Sequence, residues 1–234
     1  MSPAGGGAFY KDYPQTCDPE DYWAQVGRTV NGKSVPQEQI DLIVTAVRAG
    51  LEFADDDLFL DLCCGNGALT THFFRLCRGG LGVDFSAFLI DVANQRFSHR
   101  PSEGYLLDDV IDYVRKADAA QAAGFTKALC YGAFQYLDHG PAVEFLSLLR
   151  RRFPGLKRLF IGNLPDKERI GNHYRDQPPP PGIADRADTP IGIWRTADEF
   201  RALAASTGWQ CRISQMPPAF YGAHCRYDAL LVPT

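Results

Sequence analysis

No apolar run in this 234-residue chain approaches the roughly 20 residues that a membrane-spanning helix needs. No basic-then-apolar leader opens it either; "MSPAGGGAFYKDYPQ" is Gly-rich and reads as a loose tail. Positive charge is not in excess: 24 Lys and Arg stand against 28 Asp and Glu, a formal net charge of -4. That balance argues against a broad phosphate-binding face, so no nucleic acid and no membrane is expected as partner. Arg150, Arg151 and Arg152 read as the solvated end of a helix. Cys-x-x-Cys is missing, as is any His pair at zinc spacing. The cysteines number seven, an odd count with Cys63 and Cys64 adjacent, which makes a poor disulfide framework. Reduced, mostly buried thiols in a cytoplasm are the simpler expectation. No carboxylate-rich cluster suggests magnesium, so no metal is expected. Internal repeats are absent.

What is present is ordinary for a globular protein: 45% hydrophobic and 22% charged residues. The length suits one domain with at most a small cap. "SVPQEQIDLIVTAVRAG" (34–50) reads as a helix, with Ser34 and Gln37 at capping-box spacing and Gly50 as a stop. "LFLDLC" (58–63) then reads as a buried strand and "ALTTHFFRLC" (68–77) as a helix. The alternation goes on: strand "GLGVDF" (80–85), helix "SAFLIDVANQRF" (86–97) capped by Ser86, strand "GYLLD" (104–108), a short helix "DVIDYVRKA". Strand "KALCYGAF" (127–134), helix "PAVEFLSLLRRRF" (141–153) and strand "KRLFIGNL" (157–164) follow.

An irregular stretch, 164–195, contains "QPPPPG", the pattern of a stiff extended loop. "TADEFRALAASTG" is a helix with Thr196 and Glu199 at capping-box spacing, and "QCRISQM" and "YDALLV" close the chain as an antiparallel hairpin with a short link. Seven strand patterns alternating with helices predict an α/β fold: a mostly parallel sheet, helices on both faces and an antiparallel last strand.

The chemistry is concentrated in "LDLCCGNG". A strand, a glycine turn and a helix make a corner whose free N–H groups face a ligand, and Gly65 and Gly67 let the backbone come close. A dinucleotide fingerprint asks for a third glycine where Thr70 stands, and no Gly-Lys-Ser/Thr follows for a P-loop. Asp61, just before the turn, would repel a pyrophosphate and suits an ammonium and a sulfonium.

"LDLCCGNG" resembles the first motif of the class I S-adenosylmethionine-dependent methyltransferases. The family usually has glycine where Cys63 stands, and a side chain there resists a positive φ. Three further stretches carry the resemblance: "GVDFS", "LLDDV" and "ALCYGAFQYL". It implies a Rossmann-like sheet and S-adenosyl-L-methionine as donor, with S-adenosylhomocysteine as product. It implies that Asp61, Cys63, Gly65, Asn66 and Gly67 form the turn, and that Asp84 accepts the ribose hydroxyls beside Phe85 and Ser86. Asp108 or Asp109 would meet adenine, Cys130 and Tyr131 would pass the methionine part, and Arg28 would meet its carboxylate or a substrate anion.

The expected division is 1–54 as N-terminal segment and lid helices and 55–234 as the core, with 164–195 as a substrate-side loop. The expected reaction is methyl transfer to a small-molecule acceptor, a hydroxyl on a sugar or secondary metabolite first and a small heterocycle or amine nitrogen second. His173 is the first candidate for the base, with Asp166, Tyr136 and His224 as alternatives. Tyr22, Trp23, Arg169, Tyr174, Tyr221 and His224 are the candidate acceptor contacts. A nicotinamide-dependent oxidoreductase and a cofactor-binding protein without transfer activity are the readings from other classes. Monomer and homodimer both stay open.

Overall fold

The computed structural model describes residues 6–175 and 177–234. Seven strands form one sheet: β1 (Leu58–Leu62), β2 (Gly79–Asp84), β3 (Glu103–Leu107), β4 (Lys127–Tyr131), β5 (Arg158–Pro165), β6 (Trp209–Ser214) and β7 (Arg226–Pro233). Their order is β3-β2-β1-β4-β5-β7-β6. Neighbours from β3 to β5 pair in parallel, and β7 runs antiparallel to both β5 and β6. This is the predicted mostly parallel sheet with one antiparallel last strand.

Side chains alternate faces along each strand, so each inner strand feeds two cores. Leu60, Leu62, Ala128 and Cys130 face one core with Tyr113, Phe145, Leu149 and Phe200. These come from α6 (Val110–Lys116), α8 (His139–Arg152) and α10 (Ala197–Ser206). Phe59, Leu129, Tyr131 and Phe160 face the other with Ile40, Ile43, Val47, Phe73 and Ile90. Those belong to α3 (Gln37–Leu51), α4 (Thr70–Phe74) and α5 (Ala87–Arg96). The capping box of α10 forms as predicted, with the Glu199 amide donating to Thr196 Oγ1 at 3.0 Å and the Thr196 amide to Glu199 Oε2 at 2.8 Å.

Several expectations change. Ser34 caps nothing, because its hydroxyl donates to Asp21 and it lies in a two-residue ladder, Thr29–Val30 with Lys33–Ser34. Pro36 takes the N-cap position instead, and α3 runs through Gly50 to end at Glu52, whose φ of 51° is left-handed. Gly50 is needed for packing: a Cβ there would lie 2.6 Å from the Phe160 ring. Beyond residues 1–5, which lie outside the described residues, the expected loose tail is helical as α1 (Gly6–Asp12). The arginines ending α8 are not simply solvated, since Arg150 donates to the carbonyls of Gly208 and Thr234 and Arg152 to that of Ala117. The link between β6 and β7, residues 215–225, is longer than a hairpin turn and buries Met216 and Phe220 in the second core.

Candidate functional site

The chain fills the sheet from β1 outward to β3, then crosses back to β4. Crevices form at such a reversal, beyond the carboxyl ends of the strands. A cavity of ≈ 490 Å³ lies there. Cys63, Cys64 and Gly65 line it after β1, Asp84 and Phe85 at the end of β2, Asp109 and Val110 after β3, and Tyr131, Gly132 and Ala133 after β4.

The glycine turn is fixed by its neighbours. The amides of Cys63 and Cys64 both donate to the Val83 carbonyl, at 2.8 and 3.0 Å. Asn66 Nδ2 donates to the Tyr22 carbonyl and the Gln25 side chain, tying the turn to α2 (Tyr22–Gln25). A Cβ on Gly65 would approach Val26 to 2.8 Å, and one on Gly67 would approach the Tyr105 ring to 2.7 Å. Cys63 itself sits at φ 67°. The resistance expected of a side chain is therefore overcome, at a cost of about 1 kcal/mol in left-handed strain. Alanine and glycine variants both lose the thiol, so their difference isolates that strain. Cys63→Gly is expected to be more stable than Cys63→Ala by about 1 kcal/mol, read from denaturant midpoints.

Thr70, which stands where a dinucleotide site has glycine, donates its hydroxyl to Asp61 Oδ2 at 2.6 Å. Asp61 lies behind the cavity wall and is almost fully buried. Burial pushes its carboxyl up to about 7, against the Thr70 hydrogen bond and the nearby Arg28, with Asp84 adding to the rise. Asp84 accepts from the Gly65 amide through Oδ2 and from the Ser86 amide through Oδ1, both at 2.9 Å. Burial raises it too, opposed by the amides of Ser86, Gly65 and Phe85. Ser86 holds the N-cap position of α5, yet its hydroxyl makes no cap bond and finds no partner.

The structure separates the adjacent acids. Asp109 caps α6 through the amides of Ile111 and Asp112 and also lines the cavity. Asp108 is outside the lining and pairs with Lys116 at 2.9 Å. Arg28 lines the cavity, its guanidinium 5.7 Å from the Tyr131 ring and 5.6 Å from that of Trp23. Asn66, Gly67, Ser86 and Cys130 shape the wall from behind without lining it.

The acceptor-side candidates divide differently. Tyr136 lines the cavity, and its hydroxyl donates to the Pro190 carbonyl at 2.7 Å while accepting from Tyr10. His173 and Asp166 do not line it. His173 is exposed on α9 (Ile170–His173), against Trp194 and Tyr174. Asp166 is buried as a cap, accepting from the Glu168 amide and pairing with Arg169 at 3.4 Å. Arg169 also holds Gln215 and the Ala223 carbonyl, which makes it a brace. Tyr22, Trp23, Tyr174, Tyr221 and His224 likewise fall outside the lining. Tyr22 packs edge-on to Phe97 and bonds Glu20, and Trp23 joins the second core. The stretch after β5 is not a free loop either, because the Ile193 amide bonds the Gln135 carbonyl and Trp194 is buried.

Residues the sequence did not single out complete the wall: Tyr10 and Lys11 from α1, Val26, Leu89 and Leu137. The fold also gathers His173, His224 and Cys225, with ligand atoms within 4.8 Å of one another. Arg226 and Arg175 bear on His224 and Cys225, a field that opposes a cation.

No protein-family model matches the chain. An uncharacterized methyltransferase of Schizosaccharomyces pombe is 32% identical over 77 residues, 33% of this chain and 28% of that protein. The match thus spans under a third of that relative's length. Among solved structures, magnesium protoporphyrin IX methyltransferase from Synechocystis PCC 6803 with bound S-adenosylhomocysteine superposes with a TM-score of 0.65 at 15% identity, over 97% of this chain and 98% of that one. The mycolic acid cyclopropane synthase CmaA1, complexed with S-adenosylhomocysteine and CTAB, gives 0.70 at 14% identity over 100% and 99%. The strand order and these likenesses give this chain the class I S-adenosylmethionine-dependent methyltransferase fold.

Proposed function

We propose that the chain binds S-adenosylmethionine and transfers its methyl group to a small-molecule acceptor, an oxygen of a sugar or secondary metabolite before any other. The observation that carries this is the wall of the cavity: a glycine turn, then the carboxylate of Asp84, then Phe85, in that order along the ends of β1 and β2. The residues fit that donor. Each Asp84 oxygen accepts one amide and keeps a lone pair for a ribose hydroxyl. Phe85, Leu89 and Val110 supply apolar walls for adenine, and Asp109 an acceptor for its amino group. Arg28, in the wall, suits the methionine carboxylate, and Asp61, buried behind the wall, the charge of the ammonium.

The donor brings an activated methyl group on a sulfonium. The protein's share is alignment and the exclusion of water. Residues 1–54 supply Tyr10, Lys11, Val26 and Arg28 to the wall, the placement a lid requires. Of the four predicted bases Tyr136 alone lines the cavity, and burial raises its phenol, so it orients an acceptor better than it deprotonates one. No histidine lines the cavity among the described residues, which favours nitrogen transfer as the second reading, since an amine can lose its proton to water.

The test is calorimetric titration with S-adenosylhomocysteine, with NADH and NADPH as controls. Micromolar binding of S-adenosylhomocysteine alone is expected. Binding of a nicotinamide cofactor in its place would replace this reading with an oxidoreductase.

A further inference from the structure

The stretch of wall after β4 carries no charged side chain: its residues are Tyr131, Gly132, Ala133, Tyr136 and Leu137. The charged members of the lining come from elsewhere. Asp84 follows β2, Asp109 follows β3, and Lys11 lies 5.9 Å from the Phe85 ring, while Arg28 reaches the Tyr131 face from the N-terminal segment. Backbone acceptors after β4 are already in use. The Gly132 carbonyl takes the Gln135 side-chain amide at 2.8 Å, and the Ala133 carbonyl takes the Tyr136 amide at 3.0 Å. Tyr131 contributes its ring, since its hydroxyl is buried. The polar chemistry that remains is a pair of phenols, Tyr136 and Tyr10. Both line the cavity, with ring centroids 6.2 Å apart in an edge-on arrangement. Gly27 leaves room for the Tyr10 hydroxyl, because a Cβ there would lie 3.0 Å from it.

The protons of this pair have a set direction. A carbonyl oxygen can only accept, so Tyr136 must donate to Pro190, at 2.7 Å. That uses its one proton. Its oxygen accepts in turn from Tyr10 and then from the Gln135 side chain. In donating, Tyr10 uses its one proton as well. Burial raises both phenols, so neither ionises near neutral pH. The line therefore runs from Tyr10 to Tyr136 to the Pro190 carbonyl, with every proton pointing away from Tyr10. What Tyr10 has left is a lone pair, which a proton donor satisfies and an oxyanion cannot.

We infer that the atom to be methylated arrives as a neutral hydroxyl whose proton is held by the Tyr10 oxygen, at the end of a hydrogen-bond line that Tyr136 and the Pro190 carbonyl set in direction. Held by its proton, the hydroxyl keeps its own lone pairs for the methyl carbon. The O–C bond forms as the S–C bond breaks and its electron pair returns to sulfur. The hydroxyl's proton, which a neutral phenol is too weak a base to keep, passes to water. A carboxylate has no proton to offer, so esterification is the transfer this line works against. Tyr10 touches the acceptor, and Tyr136 is a positioning residue that acts through it. The inference rests on the methyl-transfer reading for the reaction, and on the direction of the hydrogen-bond line alone for the choice of ligand.

The test titrates the full chain, saturated with S-adenosylhomocysteine, with phenol, anisole and benzoate. The three share a ring that suits Tyr131 and Leu137, and only phenol brings an O–H. Phenol is expected to bind saturably in the millimolar range, with anisole and benzoate weaker by about fivefold or more. Tyr10→Phe removes the receiving oxygen and is expected to bring phenol down to the level of anisole. Tyr136→Phe keeps that oxygen but frees the Tyr10 proton to turn into the cavity. Anisole is then expected to gain and the preference for phenol to vanish, whereas a merely structural Tyr136 would weaken all three ligands alike. Retained S-adenosylhomocysteine binding shows that a variant is folded, and either variant alone decides. Phenol binding no tighter than anisole in the parent, or an unchanged preference in a folded variant, overturns the inference. If S-adenosylhomocysteine fails to bind while the preference for phenol persists and responds to Tyr136→Phe, the methyl-transfer reading falls and the oriented line stands.

Discussion

Replacing Asp84 by alanine is expected to weaken S-adenosylhomocysteine binding at least a hundredfold. Two losses combine. The ribose hydroxyls lose an ionised acceptor, and hydrogen bonds to charged groups contribute about 1.5–3 kcal/mol each. The turn loses its brace as well, because the same carboxylate holds the amides of Gly65 and Ser86. Asp84→Asn separates the two: its one carbonyl oxygen can keep a single amide, so part of the turn should survive while affinity still drops. Unchanged affinity in a folded alanine variant, checked by circular dichroism and calorimetry, would remove Asp84 from the donor site.

Acidification is expected to lower donor-analogue affinity steeply, by about a hundredfold between pH 8 and pH 5. Asp61 is held up to about 7 by burial, and only its ionised form attracts an ammonium. Each pH unit below that value then costs about 1.4 kcal/mol of binding. Stability of the protein alone runs the other way. The folded value lies above the ordinary aspartate value of 3.8, so the unfolded chain gives up the proton first. The stabilisation is fully present below about pH 4 and is lost as pH rises through about 7, on the order of 4 kcal/mol in all. Asp84, also raised by burial, adds to both trends in the same sense. Asp61→Asn keeps an acceptor for Thr70 but cannot ionise. It is expected to bind weakly at every pH, with a flatter profile, and to be more stable than the parent at pH 8. Calorimetry and thermal melts across pH 5–8 check both halves, and a pH-independent affinity in the parent would sink the assignment.

What the sequence shows of this site is what lies close together in the chain. The turn and Asp84 could be read because an acid, a glycine pair and a second acid follow consecutive strands, and the strand register then brings Leu62 beside Val83. Thr70 was legible only as a missing glycine, while its bond to Asp61 needed the helix to fold back. Asp108 and Asp109 looked equivalent until Lys116 engaged one of them and α6 turned the other to the cavity. Ser34 and Gln37 had the right spacing for a cap, but Pro36 and the pull of Asp21 decided otherwise. Tyr10 and Lys11 carry no local signal, because they reach the cavity from α1, far from the turn in sequence. His173 and Asp166 are chemically apt in a long loop, yet neither lines the cavity, and the loop is braced by Arg169, Trp194 and Ile193.

The place of β7 inside the sheet, between β5 and β6, bears on how the protein is made. A ribosome delivers residues 226–233 after every other strand, yet β5 and β6 have no direct pairing without them. The half of the sheet holding the glycine turn can order during synthesis, because its pairings are between strands already made. The other half orders only once residues 226–233 have been made. A nascent chain is thus expected to acquire its glycine-turn corner before the far half of its sheet.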